Sequence, residues 1–470
     1  MAQTTHGFSR RSLLQSALAS CCAAPARAFS PQCRPGEIAP APAALPFADA
    51  EPLGVLAARR NLQFGVQVGI ADKSYGGGMY DPVYQQLILR EQPQFLVYGS
   101  AFKFIDNCAD APGPDRRLRF SNARHGVRDT WYQANDITAF AKRHGLRGRA
   151  DTLVWQNTHP AWLDALAARD WRQTPQYRSN MAYLDQYISA AMKKIVELSA
   201  GDAAFFQAIG VVNEPLDPFN PVGGMASYAG GPFLPPGQPC GPTAPPDYIA
   251  TAFQKVVHYN DYWSRELGLP PTSAKLFINE TTAETDQFGP LVRPALLALV
   301  KAMKNAGLRL DAVGLECHLQ PQMMNNPQSP DWTAFGAFLQ ELSDLGVEIY
   351  ITEFDVLDYA ANCAGEKAPR QAADDLVSRY CQSFLETVLK YPAVKSISVW
   401  DLSDRYSFYR MLDVAQWYGY HKTPAGAHWP KCEIRPASRQ AIACPRPALF
   451  DDAMIPKSAR AAFARALQAR

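Results

Sequence analysis

A chain of 470 residues, 47% of them hydrophobic, is long enough to bury one large core or two ordinary ones. Its 46 Lys and Arg against 44 Asp and Glu leave a net charge of only +2. No basic stripe runs along it, which excludes nucleic acid and anionic membrane surfaces as main partners.

Residues 1–28 read as an export segment rather than as part of a fold. Ser9-Arg10-Arg11-Ser12-Leu13-Leu14 is a twin-arginine pattern ahead of an apolar stretch that ends at Ala19. That stretch is too short to span a bilayer. Two processing outcomes stay open. Ala26-Arg27-Ala28 offers a small-x-small cleavage site, whereas Leu18-Ala19-Ser20-Cys21 resembles a lipobox that would place a lipid anchor on Cys21. Both imply a bacterial protein that is periplasmic, secreted or anchored at the outer membrane.

Residues 29–54, rich in Pro and Ala, form an N-terminal arm. Of the ten cysteines, Cys21 and Cys22 fall in the export segment and eight remain. None sits in a C-x-x-C pair, so no zinc site and no metal is expected. In an oxidising compartment some should pair, and Cys432 with Cys444, both in one Pro-rich loop, is the best candidate. Cys317 lies inside an apolar run and is expected to be a free, buried thiol.

From residue 55 to 470 strand and helix patterns alternate, and no second domain is visible. Strands are predicted at 64–68, 95–98, 148–155, 205–212, 275–279, 312–318, 348–353 and 396–400. A helix is predicted over 181–198, with Leu184, Ile188, Ile195 and Leu198 on one face. Asp81-Pro82 and Ser329-Pro330-Asp331 read as helix starts with proline in the first turn, and a last helix is predicted over 458–467. Eight strands, each followed by a helix, are the count of a (β/α)8 TIM barrel, an α/β fold with one catalytic domain. An open doubly wound sheet is disfavoured because no G-x-G-x-x-G follows the first strand. The excess length falls in loops after strands, notably the Gly-rich 71–79 and the Pro/Gly-rich 215–247, which at the C-terminal face would shape a cleft.

Two stretches carry the chemistry: VVNEP at 211–215 and YITEFDV at 350–356. Each ends an apolar, β-branched run in a glutamate, Glu214 or Glu353. A carboxylate at the C-terminal tip of a strand is where a barrel keeps its catalytic groups. Two on different strands are what cleavage of a glycosidic bond requires, one as acid and one as nucleophile or base. Any single glutamate could instead end a strand in solvent. The pair, with Asn213 beside one and Asp355 beyond the other, argues against that.

On this scaffold the sequence resembles glycoside hydrolase family 10, the retaining endo-β-1,4-xylanases, over nearly all of the chain after residue 60. The carriers, in order, are DTLVWQNTHPAWL (151–163), VVNEP, ECHLQ (316–320), ITEFD, VWDLSDRYSF (399–408) and RPALFDD (446–452). The resemblance implies Glu214 as acid/base and Glu353 as nucleophile, acting on a polysaccharide or oligosaccharide without a cofactor, and a monomer is expected. Asn213 would bond the sugar 2-hydroxyl, where contacts strengthen in the transition state. His318 with Asp355 would keep the nucleophile ionised. Trp155 and Trp400, ending the third and eighth strands, would stack on sugar rings, and Lys103 in YGSAFKF corresponds to the family's glycone-reaching lysine.

The departures from the family pattern cluster on the glycone side. Gly99, Ser100 and Ala101 stand where an Asn flanked by Glu is usual. Asp151 and Gln156 replace two histidines, Glu316 a glutamine and Phe408 a tryptophan. Asp151, Gln156, Glu316 and Phe408 therefore join the expected substrate contacts. Asp151 and Glu316 would add up to two negative charges, disfavouring a uronic acid and suiting neutral or amino sugars. A non-catalytic carbohydrate-binding barrel and a metal-dependent hydrolase are the competing classes; the latter wants clustered histidines, and only His318 qualifies.

Overall fold

The computed structural model describes residues 44–45, 50–68, 78–121, 130–156, 158–166, 170–357, 370–407 and 446–469. The export segment with Cys21, the pair Cys432 and Cys444, and Phe408 lie outside them, as do nearly all of the 71–79 loop and most of the 29–54 arm.

Eight parallel strands form the barrel: β1 (Gln63–Gln67), β2 (Phe95–Val97), β3 (Arg147–Ala150), β4 (Phe206–Asn213), β5 (Lys275–Glu280), β6 (Ala312–Leu315), β7 (Glu348–Val356) and β8 (Val394–Val399). Each pairs with its neighbours in sequence, and β8 pairs with β1, closing the ring. The strands are buried along almost their whole length, as expected where helices cover the outside and side chains fill the inside.

The helices follow from local signals. Asp81 caps Pro82–Glu91, accepting from the N–H groups of Val83 and Tyr84, and Thr174 caps Pro175–Leu198 by accepting from Tyr177. That second cap starts the helix six residues before the apolar periodicity shows. The expected start at 329–331 shifts in the other direction. The helix is Thr333–Asp344, Pro330 lies outside it, and Asp331 accepts from the Thr333 N–H. Ser458–Gln468 closes the chain against Leu53–Ala58, so the folded body begins inside the expected arm. Phe463 of this last helix meets Phe64 of β1 and Phe354 of β7, ring centroids 5.8 Å apart in both pairs.

Three features were not expected. The third strand breaks after Ala150 and resumes as Val154–Trp155, still paired with β4. The sixth breaks after Leu315 and resumes as His318–Leu319, paired with β7. The long 215–247 loop opens with an antiparallel hairpin, Leu216–Val222 with Met225–Tyr228. Among the described residues Cys108, Cys240, Cys317 and Cys381 are free and buried, as expected for Cys317.

Candidate active site

The C-terminal ends of the strands are irregular where the candidate residues sit. Glu214, Thr282, Cys317 and Asp401 have positive φ angles of 42°, 60°, 56° and 75°, conformations that cost energy in non-glycine residues and gather at functional sites. The ladder between β7 and β8 shifts register between Ile351 and Phe354, so Glu353 sits at a bulge, a device that re-aims a side chain. Backbone bonds nevertheless lock the tips together. The N–H of Glu214 donates to Asn279 O at 2.9 Å, that of Glu316 to Glu280 O at 2.9 Å, and that of Glu353 to Glu316 O at 3.0 Å.

Glu353 is held at both oxygens. His318 Nε2 lies 3.2 Å from Oε2, and Asn279 Nδ2 donates to Oε1 at 3.0 Å. His318 Nδ1 in turn lies 2.9 Å from Asp355 Oδ1. Burial opposes a charge on this imidazole, but Asp355 and then Glu353 outweigh it and hold the ring protonated well above its ordinary range. The grouping of Glu353, His318 and Asp355 is therefore as expected, with a cation bridging two carboxylates.

Glu214, 4% exposed, accepts the indole N–H of Trp155 at Oε2, 3.1 Å away. Lys103 Nζ lies 4.7 Å above the Trp155 ring. Trp155 thus serves as a hydrogen-bond donor to Glu214, with one face covered by a cation rather than open to a sugar. Trp400 is partly exposed and stands edge-on to His318, centroids 6.0 Å apart.

Two expected substrate contacts are committed elsewhere. The Gln156 side chain donates to Ala229 O at 2.6 Å and accepts from the Phe233 N–H at 3.2 Å, so it staples the long loop to the third strand. Asp151 is ion-paired with Arg149, Oδ2 to Nη2 2.7 Å, both buried. Burial raises its carboxyl to about 6, against the pull of Arg149. Glu316 is pushed well above the ordinary carboxylate range, by burial first and then by the charges of Glu353 and Glu214. The negative charge expected of Asp151 is thus matched by a buried counter-ion, and burial with neighbouring carboxylates disfavours a charge on Glu316.

After β2, Gly99, Ser100 and Ala101 form a tight buried turn. Gly99 has φ +26°, a conformation that a larger side chain would strain, and a Cβ there would lie 2.5 Å from Gln67 Nε2.

Several residues of the site carried no expectation. Asn279 is the hub: its Nδ2 reaches Asn213 Oδ1 at 2.8 Å, Glu316 Oε1 at 3.2 Å and Glu353 Oε1 at 3.0 Å, while Thr352 Oγ1 donates to its Oδ1 at 2.7 Å. It fits because residue 314 is glycine; a Cβ there would lie 2.3 Å from Asn279 Oδ1. Arg149, fully buried, donates to Ser398 Oγ and Thr352 O beneath the nucleophile. Glu280 accepts the N–H groups of Thr281 and Leu216. Burial, with Glu214's charge, lifts its carboxyl well above the usual range. The signal was present: KLFINE ends an apolar strand in Asn-Glu just as VVNE does.

Glu316, His318 and Glu353 present ligand atoms within 4.8 Å of one another. Both imidazole nitrogens already face carboxylates at hydrogen-bond distance, so the cluster reads as a hydrogen-bond network rather than a metal set.

A closed (β/α)8 barrel with two glutamates at the tips of β4 and β7, joined through Asn213 and Asn279, defines a glycosidase-type site. Residues 114–429 match the family model for glycosyl hydrolase family 10, and the chain belongs to that family. A thermostable celloxylanase of Thermoclostridium stercorarium is 27% identical over 285 residues, covering 59% of this chain and 65% of that protein. The endo-1,4-beta-xylanase A of Fusarium oxysporum is 27% identical over 281 residues, 59% of this chain and 71% of that one. Alignment with the first of these relatives thus leaves about a third of its length unmatched. Among solved structures, xylanase 10C of Cellvibrio japonicus in complex with xylopentaose superposes with a TM-score of 0.64 at 18% identity, over 89% of this chain and 69% of that one. Xylanase 10B of Thermotoga petrophila in complex with xylobiose gives 0.58 at 19% identity, over 90% and 98%. At such identities the structural likeness establishes the fold.

Proposed function

We propose that this protein is a retaining glycoside hydrolase that cleaves a β-linked polysaccharide by double displacement, endo-1,4-β-xylanase-like with altered glycone subsites. The observation that carries the reading is the asymmetric environment of the two glutamates. Glu353 is anchored at both oxygens by an imidazolium and an amide, which suits a nucleophile that must stay ionised and aimed. Glu214 receives the neutral indole N–H of Trp155, a contact that persists whether or not the carboxyl holds a proton, as suits a group that gives a proton in one step and takes one back in the next. Glu214 protonates the glycosidic oxygen while Glu353 attacks the anomeric carbon, so the C–O bond to the leaving group breaks as the glycosyl ester forms. Glu214 then deprotonates water, which displaces Glu353 and restores both groups. The bond from Asn279 to Asn213 Oδ1 supports the reading that Asn213 bonds the sugar 2-hydroxyl.

Family membership and the names of its relatives favour xylan. The small side chains at 99–101 and the diversion of Gln156 to the loop favour a second substrate reading, a bacterial exopolysaccharide or other decorated β-glycan. A non-catalytic binding barrel would have no use for the anchored Glu353. Screening a polysaccharide panel with product sizing decides the substrate. Linear xylan is expected at least tenfold below the best substrate in kcat/KM, about 1.4 kcal/mol of transition-state binding. The catalytic reading is tested by Glu353→Ala, expected to abolish turnover, with azide partly restoring it to give a product of inverted anomeric configuration. Full activity in the alanine variant would remove Glu353 from the mechanism. Export by the twin-arginine route is proposed from Arg10-Arg11; retention of an R10K/R11K variant in the cytoplasm, seen by fractionation, is the expected result.

A further inference from the structure

We propose that Glu316 works as a neutral carboxylic acid that positions the nucleophile, and that its loss of a proton ends turnover on the alkaline side. This rests on Glu353 being the nucleophile and adds to that reading a residue and a pH limit.

Hydrogen-bond supply is the first argument. Asn279 Nδ2 carries two hydrogens but faces three acceptors, Asn213 Oδ1, Glu316 Oε1 and Glu353 Oε1. Asn213 Nδ2 reaches the same Glu316 Oε1 at 3.4 Å, so both amides crowd one oxygen. His318 Nε2 is 4.0 Å from Glu316 Oε2, beyond hydrogen-bond range, and lies 3.2 Å from Glu353 instead. A buried carboxylate that shares too few donors is costly. Protonating Glu316 removes one charged acceptor from the set that divides those hydrogens.

Charge is the second argument. The groups facing Glu316 are Glu353 on β7, Glu214 after β4, Glu280 ending β5, and His318 two residues on. The one cation among them, His318, is already matched by Asp355 and Glu353. A further negative charge at 316 would be buried, 4% exposed, and uncompensated. The backbone prevents escape, because Glu316 N and O are both tied to neighbouring strand tips. The family resemblance places a glutamine here, and a protonated glutamate is its neutral, nearly isosteric counterpart.

The consequence is specific. While Glu316 is neutral, Asn279 Nδ2 and His318 Nε2 face Glu353 as their charged acceptor, with His318 Nδ1 engaged by Asp355. Once Glu316 ionises, two carboxylates compete for the same amide and the same imidazolium, and the nucleophile loses its aim.

The test compares wild type with Glu316→Gln, using an aryl β-glycoside with an activated leaving group so that protonation by Glu214 does not shape the profile. The alkaline limb of kcat/KM is expected to move up by at least about one pH unit in the variant, with activity retained at mildly acidic pH. Superimposable limbs, or a folded variant dead at every pH, would overturn the proposal. A second readout needs no turnover: the infrared difference between wild type and Glu316→Gln at neutral pH. It should show the carbonyl stretch of a protonated carboxylic acid, whereas a carboxylate band in its place overturns the proposal. Glu316→Met supplies the same differences should the glutamine variant not fold. Absence of activity on every glycoside, by contrast, would overturn the glycosidase reading and leave the infrared result standing.

Discussion

Glu214 and Glu353 differ in what touches them, and that difference yields separable phenotypes. If Glu214 is the general acid, Glu214→Ala should slow natural glycosides most, because their leaving groups need protonation. Glycosylation by an activated aryl glycoside should suffer far less, and an equal loss on both substrates would exclude the assignment. At the glycone end, reversing the family departures is harder than the sequence suggests. Asp151→His, which resembles the family pattern, removes the counter-ion of the fully buried Arg149. An orphaned buried charge costs on the order of 3–5 kcal/mol, so the midpoint of urea unfolding should fall markedly before any gain on xylan is seen. Side chains at 99 face a similar obstacle in Gln67. Residue 151 is thus half of a buried ion pair that was not legible beforehand, since Arg149 reads as an ordinary strand-flanking arginine until packing shows it fully buried.

At the scale of elements, the eight strands were legible because apolar β-branched runs punctuated by Gly, Pro and caps have little other use in a chain of this composition. The breaks in the third and sixth strands were not legible. A run such as 148–155 or 312–318 looks continuous, and only packing reveals that Asp151–Leu153 and Glu316–Cys317 leave the ladder. Those breaks turn Asp151 and Glu316 into site residues. Asn279 was missed for a related reason: it ends a strand, and its reach to three neighbours depends on a glycine at 314 on the next strand. Gln156 shows the opposite error, a family-aligned position whose amide is used to hold 229–233. Gln156→Ala should therefore leave a buried N–H and C=O unsatisfied and cost about 1–3 kcal/mol of stability. An unchanged melting curve together with a lowered substrate affinity would return Gln156 to the sugar-binding set.

For the molecule as a whole, the barrel must close, and one buried ion pair ties the two ends of the chain where it does. Arg460 of the last helix donates to both oxygens of Glu91 at 3.0–3.1 Å. Glu91 also accepts the Leu53 N–H at 2.9 Å, and Arg460 reaches Glu51 O at 2.7 Å. Segments 400 residues apart in sequence thus meet at one carboxylate that is fully buried. Burial raises the Glu91 carboxyl even against the pull of Arg460, so desolvation is the larger effect and the pair's net contribution is small. Removing one partner is a different matter. Arg460→Leu strands a buried acid and should cost on the order of 3–5 kcal/mol, whereas Glu91→Leu with Arg460→Leu removes both charges and should recover most of that loss. The remainder, about 1–3 kcal/mol, is the Leu53 N–H left without an acceptor. Thermal unfolding of the three proteins measures both terms. A double variant no more stable than Arg460→Leu would mean that the ion pair itself, and not the apolar packing of Phe463 on Phe64 and Phe354, holds the barrel shut.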